Sequence, residues 1–101
     1  MIGYKLFRKR KDGSYGSLFI NRKQKLYQGM KYHAESHQTK GYAYRVGWHI
    51  CHSPYTPHLK LTKERVWCKV QFVLLDMIRR PESQGGLWYF GTRIMILEEL
   101  P

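Results

Sequence analysis

The stretch VWCKVQF, residues 66–72, decides the fold class of this chain. One set of its alternate positions is wholly apolar and consists of Val66, Cys68, Val70 and Phe72. Successive side chains of a β-strand point to opposite faces, so this period of two predicts a half-buried strand. No segment keeps a helical period for more than about two turns, and the fold is therefore predicted to be mostly β.

The residues that follow this strand predict a short helix, a connection and a final strand. Residues 74–80 predict one helical turn that ends before Pro81. The segment PESQGG, residues 81–86, is predicted to be the connection, because its two glycines allow backbone conformations closed to other residues. Residues 87–97 then predict the final strand, with a bulge at Gly91.

The N-terminal segment predicts a β-hairpin over residues 4–20. Asp12-Gly13 separates two runs rich in aromatic and aliphatic residues, and such a pair favours a tight turn that needs positive φ. Residues 21–25 are predicted to be a short helix or a loop. We therefore expect one small α+β, mostly β domain over residues 1–101. It would contain the N-terminal hairpin, a mainly antiparallel sheet and one or two short helices.

Length and composition exclude several classes of protein. The longest apolar runs have four residues, as at residues 72–75, and are far shorter than the roughly 18 residues of a membrane span. The first residues lack the apolar stretch of a secretion signal, which predicts a cytosolic protein without membrane contact. In such a compartment Cys51 and Cys68 are predicted to be buried, reduced thiols.

Positive charge is concentrated in the first third of the chain. The net charge is +11, and residues 1–31 carry nine basic side chains against Asp12 alone. A surface of this kind attracts polyanions through its long-range potential and through counterion release. Aromatic residues between the basic ones suit single-stranded nucleic acid, although the charge could also serve solubility or an acidic protein partner. The residues predicted to bind the polyanion are Arg8, Lys9, Arg10, Lys11, Arg22, Lys23 and Lys25.

A second candidate region is residues 41–60, which hold three of the five histidines. Histidine and cysteine ligate zinc, but the spacing of His49, Cys51, His52 and His58 fits no standard ligand pair. We therefore predict neither a metal nor a cofactor. His49 or His52 could act as a general base, or could only bond backbone groups in a tight loop. The alternative enzyme site would use His49, His52, Glu82 and Gln84, with Trp48, His49 and Tyr44 lining a pocket.

Several blocks of the chain resemble a family of small uncharacterised proteins encoded by bacteriophages and prophages. The resemblance covers nearly the whole chain and is carried most specifically by Gly47-Trp48-His49 and by PESQGG at residues 81–86. It implies a phage origin, a bacterial host cytoplasm and a role in host takeover or in inhibiting host defence. The order of the basic start, the Gly-Trp-His block and the C-terminal strand also resembles ADP-ribosyltransferase-like folds, which would imply a nucleotide-binding enzyme.

Together these observations favour a small binding protein over an enzyme. Its predicted partner is a nucleic acid or a host protein that itself binds nucleic acid. The alternative is the nucleotide-binding or ADP-ribosyltransferase-like enzyme centred on the Gly-Trp-His block. The sequence leaves the oligomeric state open.

Overall fold

Eight β-strands account for most of the residues that the computed structural model describes, which are 1–18, 24–33, 37–38, 44–45, 47–55, 59 and 61–101. The strands are β1 (Ile2–Lys9), β2 (Tyr15–Gly16), β3 (Lys31–His33), β4 (His37–Gln38), β5 (Tyr44–Arg45), β6 (Trp48–Cys51), β7 (Arg65–Arg79) and β8 (Leu87–Glu99). Every pairing between them is antiparallel. The prediction of a mostly β, antiparallel fold is confirmed.

Four of the strands pair in a closed circuit. β7 pairs with β1 along one edge and with β8 along the other. β6 lies between β1 and β8 and pairs with both, so that the circuit β1–β7–β8–β6 returns to its start. β2 and β3 extend the outer edges of β1 and β8, while β4 and β5 form a separate two-stranded sheet. A closed circuit of antiparallel strands is the pairing pattern of a small barrel.

The alternation along the strands separates an interior from an exterior cluster. Cys68, Val70 and Phe72 of β7 point inward, as their period of two predicts. The interior cluster consists of Phe7, Tyr15, Leu26, Trp48, Ile50, Cys68, Val70, Phe72, Ile94 and Ile96. Residues of opposite parity form a second buried cluster, made of Leu6, Leu18, Cys51, Trp67 and Trp88. Apolar residues thus cover both faces of the wall near Trp67.

Glycine allows the barrel to close around Gly91. A Cβ at this position would lie 3.1 Å from Ile50 Cδ1 and 3.2 Å from Phe72 Cβ, closer than packed side chains normally approach. The β7–β8 register shifts on both sides of the Leu74–Gly91 pair, so the predicted bulge is confirmed. Such a bulge increases the local bend that a closed sheet requires.

The turn of the N-terminal hairpin and its pairing through Gly16 are also confirmed, and residues 19 and 20 of the predicted hairpin lie outside the described residues. Gly13 has a φ of +88°, and the Arg10 amide donates to the Ser14 carbonyl at 3.0 Å. The returning strand β2 pairs with β1 only at Arg8 and Lys9. Because β7 pairs with β1 over seven positions, it is the longer partner of β1.

The predicted helical turn at residues 74–80 is wrong. β7 continues to Arg79, because its backbone groups pair with β8 as far as Leu87 and this pairing requires an extended chain. The described ranges contain no α-helix, and their helical structure is one 3₁₀ turn, Glu82–Gln84, inside the predicted connection. The other possible helix, at residues 21–25, lies mostly outside the described residues. Within those ranges no helix has the length and apolarity needed to cross a membrane.

Candidate polyanion-binding surface

Lys9, predicted to bind the polyanion, is held at one end of the barrel. Its Nζ lies 2.7 Å from Glu99 Oε2 and 3.4 Å from the Tyr15 hydroxyl. The ammonium also lies 4.9 Å from the centre of the Tyr15 ring. The hydrogen bond to Glu99 raises the pKa of Lys9, because it stabilises the charged amine. This cation is therefore already paired with a carboxylate of the same chain.

Arg10 and Lys25, also predicted to bind, are held by the hairpin. The Arg10 guanidinium donates to the Tyr15 carbonyl at 3.0 Å and covers Gly16, where a Cβ would collide with it. Lys25 Nζ lies 2.9 Å from Asp12 Oδ2. Asp12 also accepts hydrogen bonds from the Ser14 hydroxyl and amide, and these bonds lower the pKa of its carboxyl. Both basic side chains thus help to fix the turn.

The other residues of the predicted cluster have different surroundings. Arg8 is half-buried and lies directly opposite Arg65 in the β1–β7 pairing, and Lys11 is exposed in the turn. Arg22 and Lys23 lie outside the described residues. The described part of the hairpin therefore presents Arg8 and Lys11, rather than all of the predicted cations, to a ligand.

A second basic group, which the sequence analysis did not identify, lies on β3 and β8. We call Lys31, His33 and Arg93 the β3–β8 patch; all three side chains are exposed. His33 pairs directly with Arg93, and Lys31 pairs with Met95 two positions further along β8. In the part of the chain that the structure describes, no carboxylate lies within 4 Å of these basic groups. The patch is therefore open to an external anion.

The alternation of side chains along β3 and β8 places this patch on the outer face of the sheet. Ile94 and Ile96 of β8 belong to the interior cluster, and Tyr32 of β3 packs against that cluster. Lys31, His33 and Arg93 occupy the intervening positions and so face solvent. The period of two over residues 31–33 was readable in the sequence. The pairing with Arg93, 60 positions away from His33, was not.

An exposed aromatic residue lies in the turn that leads into β3. Tyr27 is 45% exposed, and its backbone amide donates a hydrogen bond to the Tyr32 hydroxyl at 2.8 Å. Gln28 Nε2 donates to the Leu97 carbonyl, and the Gly29 amide donates to the Ile96 carbonyl. These bonds tie the turn to β8 next to the patch, and they leave the Tyr27 ring accessible to a ligand.

The predicted alternative site is divided between two sides of the barrel wall. Trp48 is buried in the interior cluster, and its Nε1 has no hydrogen-bond partner among the described residues. His49 faces outward, where its ring lies 4.7 Å from the Phe90 ring and 6.3 Å from the Trp88 ring. Tyr44 contributes backbone to β5. Trp48 and His49 therefore cannot line one pocket from the same face.

The other residues of the predicted enzyme site lie near Trp88, and several of their contacts are with backbone groups. Trp88 Nε1 donates to the Gln84 carbonyl at 2.7 Å, and His52 Nδ1 lies 3.1 Å from the Leu87 carbonyl. Glu82 is exposed in the 3₁₀ turn. His49 and the Gln84 carbonyl thus contact Trp88, while His52 contacts the neighbouring Leu87 carbonyl. The contact of His52 is of the kind expected for a histidine that only bonds backbone groups.

The cysteines lie within the packed clusters. Cys51 and Cys68 are buried free thiols, and burial raises the pKa of each to about 12. A thiol with such a pKa is almost wholly protonated at neutral pH and is a poor nucleophile. The described residues contain no group of three or more His, Cys, Asp or Glu side chains that could hold a metal ion.

A scan against protein-family models and searches of curated proteins and of solved structures found no match to this chain. Among the described residues, the β3–β8 patch places three exposed basic side chains on adjacent paired strands with no carboxylate within 4 Å.

Proposed function

We propose that this protein binds nucleic acid through the β3–β8 patch on the outer face of its barrel. The observation that carries the proposal is the exposed grouping of Lys31, His33 and Arg93 on adjacent paired strands. The ion pairs among the described residues are Lys9–Glu99 and Lys25–Asp12, and neither involves the patch. A phosphate chain would supply the negative charge that the protein does not place there.

The arrangement of the cations supports this proposal. In an antiparallel pair, diagonal neighbours such as Lys31 and Arg93 have Cα atoms about 7–8 Å apart, so that their like charges repel. A phosphate bound between them would remove this repulsion and would release its own counterions. Arg8 and Lys11 add cations for the backbone of a longer ligand.

Single-stranded nucleic acid is the form that the surface supports best. Single strands are bound by cations that follow the phosphates and by aromatic rings on which bases stack. Tyr27 supplies an exposed ring in the turn that enters β3. The paired strands have no protruding α-helix within the described ranges, and such a helix is the usual element that enters the major groove of a duplex.

The setting in which this binding would act follows from the resemblance to phage and prophage proteins. We propose a bacterial host cytoplasm, in which a phage protein of this size would take over host functions or inhibit a defence system. A host protein that itself binds nucleic acid is the second candidate partner, and it would have to present acidic groups to these cations, since a basic groove would repel them.

The proposal can be tested by fluorescence anisotropy with labelled single-stranded DNA and RNA of about 20 nucleotides at low salt. We expect the double variant Lys31→Ala/Arg93→Ala to lose at least about tenfold in affinity, since two phosphate contacts disappear. The matched control is Lys63→Ala/Arg79→Ala, which removes the same net charge from two exposed positions elsewhere.

Two results would contradict the proposal. One is the absence of oligonucleotide binding by the wild-type protein. The other is an equal loss of affinity in the control variant, which would show that only net charge matters. If a host protein is retained from a nuclease-treated lysate while oligonucleotides do not bind, the partner is a protein and the nucleic-acid proposal is wrong.

A further inference from the structure

Over about half of its length, one edge of β7 has no neighbouring strand among the described residues. The pairing of β1 with β7 stops at Phe72, whose carbonyl accepts from the Met1 amino group and whose amide donates to the Met1 carbonyl, both at 2.8 Å. β7 continues for seven more residues, to Arg79, and there it pairs with β8 on its other edge. Among the residues that the structure describes, no strand covers the outer edge of residues 73–79.

A local hydrogen bond also indicates that this edge is open. The Met77 amide donates to Oδ1 of the adjacent Asp76 side chain at 2.8 Å. In a covered edge, this amide would donate to the carbonyl of the next strand instead. The Asp76 carboxylate therefore occupies the position that a strand partner would take.

The open edge also carries many exposed apolar side chains. Among the described residues ten large hydrophobic ones are exposed, and six of these lie at this edge or at the start of β1 beside it. They are between 38% and 54% exposed, and they are Met1, Ile2, Val73, Leu74, Leu75 and Met77. Isolated exposed apolar residues are normal, but a contiguous group of this size marks an interaction surface.

The edge has register shifts beside Leu74 and one carboxylate, but it carries few of the charged residues that keep strand edges apart. Natural proteins block exposed edges with lysine, proline or inward-pointing charges. Between Phe72 and Ile78 the only charged residue is Asp76, in a protein with a net charge of +11. Two copies could therefore approach along residues 73–77 without bringing positive side chains into contact.

We infer that a second copy of this chain docks on the edge of β7, strand against antiparallel strand, to form a two-fold symmetric dimer. Because a two-fold axis relates the copies, the same apolar side chains of each copy, Val73, Leu75 and Met77, meet across the seam.

The available area is sufficient for a dimer. Six large side chains that are about half exposed offer on the order of 500 Å² of apolar surface per copy, and the paired backbones and flanking polar groups add to it. Specific interfaces start at about 600 Å² per partner. The proposed dimer is independent of the proposed nucleic-acid binding, because no residue of the β7 edge belongs to the β3–β8 patch.

Sedimentation velocity of the nucleic-acid-free protein over a concentration series tests this inference. We expect a monomer–dimer equilibrium whose dimer fraction rises when NaCl is raised from about 0.05 M to about 0.5 M, since salt screens the repulsion between two positive copies. Leu75→Lys should raise the dimer Kd by at least about tenfold, because a lysine on an edge opposes strand pairing. The matched control is Leu61→Lys, at an exposed leucine outside the edge.

A second variant keeps the test valid if Leu75→Lys fails to fold. Asp76→Ala releases the Met77 amide and removes a charge from the seam, so it should lower the dimer Kd several-fold. A wild-type protein that stays monomeric at every concentration and salt would overturn the inference. A dimer that survives Leu75→Lys and ignores Asp76→Ala would also overturn it, as would a dimer that Leu61→Lys dissociates equally.

Discussion

Two groups of basic side chains in this protein have opposite surroundings. In the N-terminal hairpin, Lys9 and Lys25 each pair with a carboxylate, and Arg10 donates to a backbone carbonyl. In the β3–β8 patch, the exposed basic groups have no such carboxylate among the described residues. A segment rich in basic residues therefore need not be the surface on which the fold leaves positive charge available to a ligand.

The reason for the difference is the position of the few acidic residues. Glu99 lies 90 positions after Lys9 in the chain, and the barrel brings the two together because β8 ends where β1 ends. Asp12 is held by Ser14 in a turn that also places it beside Lys25. The chain has only seven acidic residues, and two of them are used within this one region.

The largest expected difference between the two regions is in the unfolding free energy that a substitution costs. Tyr15, buried beneath Lys9 and packed on the Phe7 ring at 6.0 Å, anchors the hairpin to the interior cluster. Tyr15→Ala should cost about 3 kcal/mol of unfolding free energy, as large-to-small changes in cores do. Arg93→Ala should change it by less than about 0.5 kcal/mol. Urea denaturation measures both, and similar costs for the two variants would remove the distinction between them.

A smaller effect is expected from the Lys9–Glu99 ion pair. Both side chains are about one-third exposed, so Glu99→Gln should cost less than about 1 kcal/mol at neutral pH, and less again at high salt. Because the folded-state pKa of Lys9 is raised above its usual 10.5, this stability is present below pH 10.5 and is lost as pH rises through the folded value. Thermal unfolding of wild type and variant should therefore converge at strongly alkaline pH. A difference in Tm that persists at that pH would show that the ion pair does not cause the loss of stability.

The smallest effect is expected at the exposed Asp12. Its folded-state pKa is lowered, first by the Ser14 side chain and then by the Ser14 amide and Lys25, from a usual value of 3.8. The contribution is complete above the unfolded value and is lost as pH falls through the folded one. Asp12→Asn should flatten the fall of Tm with acidity below pH 3.8, and a parallel fall in both proteins would contradict this assignment.

The sequence predicts those features that depend on neighbours along the chain. The inward set on β7 follows from a period of two, the turn follows from Asp12-Gly13, and the bulge follows from Gly91. It does not predict the extension of β7 through residues 74–79. A short apolar run is compatible with a helix or a strand until the partner strand is known.

The candidate site was harder to predict for the same reason. Residues 31–33 are three residues of a strand, and the Arg93 that completes their patch belongs to the last strand of the chain. Local charge density instead pointed to the hairpin, where the carboxylate that pairs with Lys9, Glu99, lies 90 positions away in sequence. The open cations of the patch and the paired cations of the hairpin both depend on contacts made across the sheet.

The salt dependence of single-strand binding tests the central claim most directly. Two variants of equal net charge are compared: Lys31→Gln/Arg93→Gln in the patch and Lys9→Gln/Lys25→Gln in the hairpin. For single strands each phosphate contact adds about −0.7 to the log–log slope of affinity against salt, so the patch variant should lose about 1.4 of that slope. The hairpin variant should keep the wild-type slope, since its lysines already pair with carboxylates. A hairpin variant with the flatter slope, beside a patch variant that keeps the wild-type value, would contradict the account.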